Sequence, residues 1–335
     1  MTRRLSRRRL VCTTAALALG ASVLGGCSAE SVTPGSTPVV YAALGSGVAN
    51  PGSTVAVVDA RTGATGRPVT VGTLPSALAV VPGTGYLLVT VKAQNELVEV
   101  ATSTGRVVHR VTVGLEPVAV AVTPDGRTAL VADFGGNTVT AVRLSDFTVA
   151  GTVAVGRQPV AVAVVGNGSL ALVADFQDGT LTPITLPALT AGAPVAVGPS
   201  PNALYVAADG TTALVTGFQT STVTPVALPS LVPAPAVPLG ANPTGIAGRP
   251  KASVAWVSGG DTVTPVDVVT GRPGTPIAVG APAQCVASAP GGIVWVCSGN
   301  GALVEVDTAK GRVVRTVRVD GLPAAAVVVS PGAGA

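Results

Sequence analysis

One histidine, four cysteines and sixteen carboxylates are nearly all that this 335-residue chain offers for chemistry. His109 lies in residues 107–113, a stretch that reads as an outermost strand, so a Ser-His-Asp arrangement would depend on a badly placed base. No His/Cys grouping has zinc spacing, no Cys-x-x-Cys-His offers haem attachment, and no Gly-rich Lys-Ser/Thr loop offers a phosphate cradle. No catalytic residue, metal site or cofactor is therefore expected. Binding chemistry is better represented. Phe134, Phe176 and Phe218, three of only four phenylalanines, stand 42 residues apart, with Asp133, Asp175, Gln177 and Gln219 beside them. Aromatic rings flanked by amides and carboxylates suit a binding surface. The alternative is that each ring fills a gap between repeats.

That spacing belongs to a repeat covering most of the chain. The motif V-x-V-G-x-x-P places its glycine at 72, 114, 156, 198 and 240, then at 280, and Asp320 takes the same phase 40 residues later. Asp125-Gly126, Asn167-Gly168 and Asp209-Gly210 recur in step and predict type I′ hairpin turns. Within one unit, residues 117–123, 128–134, 138–144 and 149–155 read as four short strands. Four strands in about 42 residues make one blade of a β-propeller. The first strand is apolar at nearly every position, as a strand buried on both faces requires. Composition agrees: with 42 Gly and 28 Pro, helical bundles are disfavoured, and 47% hydrophobic residues against 11% charged exclude a disordered chain.

The chain ends fix the number of blades. Residues 323–331 supply a first strand with nothing after it, and residues 38–71 supply the other three strands with no first strand before them. Together they complete one blade beside six others beginning near 75, 117, 159, 201, 243 and 283. The expected fold is all-β, a seven-bladed propeller over residues 39–331, closed by joining both chain ends so that no sheet edge is left open. Pro183, Pro225 and Pro265 fall in third strands, where a missing N–H predicts a bulge or a late strand start.

In this frame the candidate site is one mouth of the ring. Loops from fourth to first strands bring Glu116, Arg157, Gln158 and Asn242; turns from second to third strands bring Asp133, Phe134, Asp175, Phe176, Gln177, Phe218 and Gln219.

The units resemble YVTN-type β-propeller repeats of exported bacterial proteins, related to the seven-bladed lactonase-like group. The matching pieces are the second-strand ends Leu88-Val89-Thr90 and Leu214-Val215-Thr216, and the tails Val57-Val58-Asp59 with Thr62-Gly63 and Val306-Asp307 with Lys310-Gly311. The resemblance implies the architecture, and for function it implies a metal-dependent hydrolase or lactonase. Asp133, Asp175 and Asn137 would be its metal ligands, but their equivalents in other blades are mostly Gly or Ser. The preferred expectation is a non-enzymatic scaffold for a protein, peptide or envelope glycan, with lactonase chemistry as the alternative.

The N-terminus reads as an export signal, residues 1–26, with a basic start and a short apolar run. Ser6-Arg7-Arg8-Arg9 resembles a twin-arginine motif, although the general export route also accepts such a start. Leu24-Gly25-Gly26-Cys27 resembles a bacterial lipobox, which implies lipidation at Cys27, a tether over 27–38, and anchoring to the outer face of the cytoplasmic membrane or the cell envelope. Five of the 20 basic residues precede residue 10; without residues 1–26, fifteen basic residues face 16 acidic ones, a formal charge of −1. The basicity thus leaves with the signal, and no nucleic-acid partner is expected. A monomer is expected, touching the membrane through its lipid alone. Cys285 and Cys297 flank a turn symmetrically, as a cross-strand disulfide or two small buried thiols.

Overall fold

The computed structural model describes residues 38–45, 52–249 and 252–330. The expected signal, Cys27 and all of the tether but Pro38 lie outside them. No helix among the described residues is long and apolar enough to cross a membrane.

Seven antiparallel sheets form the blades of a seven-bladed β-propeller. Blade one consists of Pro323–Val329, Val39–Leu44, Thr54–Asp59 and Val69–Thr70, from the axis outwards. Blades two to seven begin with inner strands Pro75–Val80, Pro117–Val122, Pro159–Val164, Pro201–Val206, Pro243–Gly248 and Ala283–Ala289. Each inner strand touches the next, and Pro323–Val329 touches both Ala283–Ala289 and Pro75–Val80, so the ring is closed. The closure is the expected one: Val39 pairs with Val329, Tyr41 with Val327 and Ala43 with Ala325.

Packing follows the two-residue alternation of a strand, applied to sheets buried on both faces. In Val39–Leu44, Val39, Tyr41 and Ala43 join the core against blade two, while Val40, Ala42 and Leu44 join the core against blade seven. The other blade interfaces carry similar clusters of Val, Leu and Ala. Cys285 and Cys297 face each other in register and are joined by a disulfide, their sulfurs 2.01 Å apart.

Every inner strand carries a β-bulge at its second residue: Pro117 pairs with Asp133 but Ala119 with Ala132, and the shift recurs in all seven blades. A bulge re-aims the extra side chain. At Ser76, Asn202 and Thr244 that residue reaches the next blade. Ser76 Oγ donates to the Pro117 carbonyl at 2.8 Å and Thr244 Oγ1 to the Ala283 carbonyl at 2.7 Å.

Two local expectations are corrected. The Asp125-Gly126, Asn167-Gly168 and Asp209-Gly210 turns are not type I′, because only the glycines have positive φ (69°, 75° and 70°). Gly126 N–H closes on the Thr123 carbonyl at 2.8 Å around Pro124-Asp125, a type I turn followed by a left-handed glycine. The third strands holding Pro183, Pro225 and Pro265 are intact and keep register with the second strands. Their missing N–H points outwards instead, and the fourth strand breaks around it, into Thr190–Ala191 with Val195–Ala196 and Val232–Pro233 with Val237–Pro238. The proline carbonyls on that side accept from Gly192, Ala234 and Gly274, each at 2.8 Å.

Candidate functional site

The loops entering inner strands and the turns leaving second strands interlock on one face. Phe134 N–H donates to the Glu116 carbonyl (3.1 Å), Phe176 to Gln158 (3.0 Å) and Phe218 to Ser200 (2.9 Å). Glu116, Gln158 and Ser200 all have left-handed backbones, which turns their carbonyls towards these donors. The same clamp thus presents one phenylalanine at one height in three successive blades. None of the three rings belongs to a blade-interface core; the fourth, Phe147, does, and is buried. Phe218 is 36% exposed, and Phe134 and Phe176 are half-buried.

A second set of contacts fixes this rim. Glu116 N–H donates to Asn95 Oδ1 (2.8 Å), Gln158 N–H to Asn137 Oδ1 (2.9 Å), and Arg157 N–H to Asp178 Oδ2 (2.7 Å). Ser221 Oγ donates to Asn242 Oδ1 at 2.6 Å. Every pair is separated by 21 residues, half the repeat, which is the sequence signal that would have revealed Asn95, Asp178 and Ser221. Lys92, also not anticipated, pairs with Glu116 at 3.2 Å and lies 5.1 Å from the Phe134 ring centre. Arg157 Nε and its own N–H both reach Asp178, which holds that carboxyl below the usual aspartate range. The expected residues therefore assemble as neighbouring groups: Glu116 with Phe134 and Lys92; Arg157 and Gln158 with Phe176, Gln177 and Asp178; Phe218 and Gln219 near Ser200; and Asn242 on Ser221. Gln177 and Gln219 are exposed.

Asp133 and Asp175 are corrected: they are fully buried beneath the rim and offer no surface for a ligand. Strand alternation turns these side chains into the blade interface. Asp133 Oδ2 accepts from Thr138 Oγ1 (3.0 Å) and Thr140 Oγ1 (2.7 Å); Asp175 Oδ2 accepts from Thr180 (3.0 Å) and Thr182 (2.6 Å). In both, Oδ1 has no hydrogen-bond partner among the described residues. Burial outweighs the threonine bonds and pushes Asp133 up to about 6; Asp175 is raised for the same reason, with Asp178 adding to the shift. A carboxyl raised on folding stabilises the fold fully below its unfolded value, about 4, and that contribution is lost as pH rises through the folded value. The melting temperature is expected to rise when pH is lowered from 7 to 5, and Asp133→Asn with Asp175→Asn to flatten that rise. Below about 4 the sign reverses, because Asp125, Asp178, Asp209 and Asp267 have lowered values and lose their native bonds on protonation.

His109 lies on the outer strand Arg106–Thr112, with Nδ1 2.7 Å from Glu99 Oε2 and its ring stacked on Phe147 at 5.4 Å. Among the described residues no group of three or more His, Cys, Asp or Glu is placed to hold a metal ion.

Comparison with known proteins gives the fold alone. No family model and no curated protein matches the chain. Among solved structures it is similar to the Kuenenia stuttgartiensis hydrazine synthase, with a TM-score of 0.71 and 15% identity over 77% of this chain and 90% of that one. It is also similar to a functionally unknown protein from Desulfotomaculum acetoxidans, with a TM-score of 0.75 and 16% identity over 88% of this chain and 98% of that one. At such identity the shared architecture carries no chemistry across.

Proposed function

We propose that this chain is an exported, lipid-anchored propeller of the YVTN-like kind whose phenylalanine-bearing mouth binds a protein, peptide or envelope glycan without transforming it. The observation that carries this reading is the rim's rigidity. Glu116, Arg157 and Gln158 are held by side chains 21 residues away, and three phenylalanines are set by identical backbone clamps. A surface fixed in advance loses less entropy on binding. The burial of Asp133 and Asp175 weighs against hydrolysis, since the carboxylates a metal would need lie beneath the rim, each with one oxygen bound by threonine hydroxyls. The lipid anchor rests on Leu24-Gly25-Gly26-Cys27; an N-terminal peptide mass carrying a diacylglyceryl Cys27 is the expected result.

Partner capture from native membranes tests the mouth. The triple variant Phe134→Ala, Phe176→Ala, Phe218→Ala is expected to lose at least about tenfold of the captured species, since buried aromatic anchors dominate binding. Its melting temperature should stay near that of the parent, because these rings lie outside the blade cores. Unchanged capture would count against the mouth. Metal-dependent turnover of a lactone panel, abolished by Asp175→Ala, would replace binding with hydrolysis.

A further inference from the structure

A cleft of about 600 Å³ opens between blades three and four, on the outer flank and towards the face opposite the mouth. The repeat explains why it is there. In blade two the third strand carries Glu99 and the fourth carries Val108 and His109; the positions 42 residues later are Ala141, Ala150 and Gly151. Between blades two and three, Glu99 and His109 are joined at 2.7 Å and Phe147 stacks on the imidazole. Between blades three and four, Phe147 is replaced by Leu189, which has the same left-handed backbone (φ 51° against 52°) and lies over Gly151. The carboxylate of Glu99, the imidazole of His109 and the ring of Phe147 at one interface thus correspond to Ala141, Gly151 and Leu189 at the next, and the missing volume is the cleft.

Its walls are mixed. Ala141, Ala150, Leu186, Pro187 and Leu189 make an apolar lining of a size suited to a small organic ligand. Asp125 and Asn167 supply polar groups from the two blades. Asp125 Oδ1 is occupied by Thr123 Oγ1 (2.6 Å) and Arg127 N–H (3.0 Å), whereas Oδ2 has only Arg127 Nε at 4.0 Å. Those bonds hold the Asp125 carboxyl below the ordinary aspartate value, so it is charged at neutral pH. Asn167 Oδ1 is filled by Ser169, leaving its amide N–H groups without an acceptor among the described residues.

We propose that this cleft is a binding site for a small aromatic amine, the ring taking the space that Phe147 and His109 fill one blade earlier and the ammonium pairing with Asp125 Oδ2. A ring is selected by the shape of the equivalent filled interface, and a cation by the Asp125 carboxylate oxygen whose one neighbour among the described residues, the exposed Arg127, stands 4.0 Å away. The site is independent of the mouth and does not rest on its proposed role.

The test is ligand-detected NMR titration of the full chain with phenethylamine, phenylethanol and phenylacetate. Phenethylamine is expected to saturate at roughly millimolar concentration, as suits so small a ligand, and to bind about tenfold more tightly than phenylacetate. Asp125→Asn should weaken the amine about tenfold by removing a charge-assisted bond, while leaving phenylethanol unchanged. Leu189→Phe places a ring at a backbone with nearly the φ that Phe147 has one blade earlier, and should abolish binding of all three ligands with the melting temperature kept. The proposal is overturned if phenethylamine does not saturate, if phenylacetate equals it, if Asp125→Asn leaves its affinity unchanged, or if binding survives a folded Leu189→Phe.

Discussion

A chain truncated before Pro323 is expected to lose its cooperative melting transition, or to melt more than about 10 °C below the full chain. Pro323–Val329 is the entire inner strand of blade one. It forms the full ladder with Val39–Leu44 and packs against inner strands on both sides, so its loss opens two blade interfaces at once. Val40, Ala42 and Ala43 are wholly buried, and Val39, Tyr41 and Leu44 nearly so. Removing their partner strand exposes a flat apolar edge, the kind that recruits other chains. Fully burying one valine or leucine is worth about 1.5–3 kcal/mol, and whole domains are stable by about 5–15 kcal/mol. A few such residues therefore rival the net stability. Differential scanning calorimetry and size exclusion read the result. A truncated monomer melting like the full chain would mean that the ring does not depend on its closing strand.

The two chain ends were legible because each is an incomplete copy of a unit seen six times in full. Blade starts were equally plain, since a proline can occupy the first position of a strand without removing a ladder bond. What the repeat alone did not disclose is everything that depends on facing direction or on a neighbouring blade. Asp133 was placed at the mouth by its adjacency to Phe134, yet strand alternation sends the two side chains apart, one outward and one beneath the rim. Lys92 escaped notice because its partner Glu116 belongs to the next blade. The third-strand prolines were misread for a related reason: a residue's N–H and C=O point to the same side, and only the structure tells which neighbouring strand that is. The cleft by Leu189 is the extreme case. It is visible in sequence only as small residues at 141, 150 and 151 set against larger ones 42 positions earlier.

The repeat also contains a pair of residues that must change together. Gly114 and Gly156, from the V-x-V-G-x-x-P motif, have no left-handed backbone, unlike Gly72, Gly198, Gly240 and Gly280. Glycine is required there for space: a Cβ at Gly114 would lie 2.7 Å from the Asp133 Cβ and closer still to its carboxylate, and a Cβ at Gly156 would meet Asp175 in the same way. Blades five and six have Gly217 and Gly259 where blades three and four have aspartate, and a Cβ at Gly198 or Gly240 would meet nothing within 4 Å. Gly114→Ala is therefore expected to destabilise the fold by about 3 kcal/mol, the upper part of the usual range for overpacking a filled interior. Adding Asp133→Gly should recover part of that loss. It leaves Thr138 and Thr140 without their carboxylate, but the matching threonines of other blades find backbone carbonyls, Thr224 at Val197 and Thr262 at Gly259. In a denaturation double-mutant cycle the coupling between positions 114 and 133 should exceed about 1 kcal/mol. At Gly240 the same change meets no neighbour, so Gly240→Ala should lose only about 1 kcal/mol for its left-handed backbone (φ 80°). Strict additivity at 114 and 133 would show that something other than the buried carboxylate keeps residue 114 a glycine.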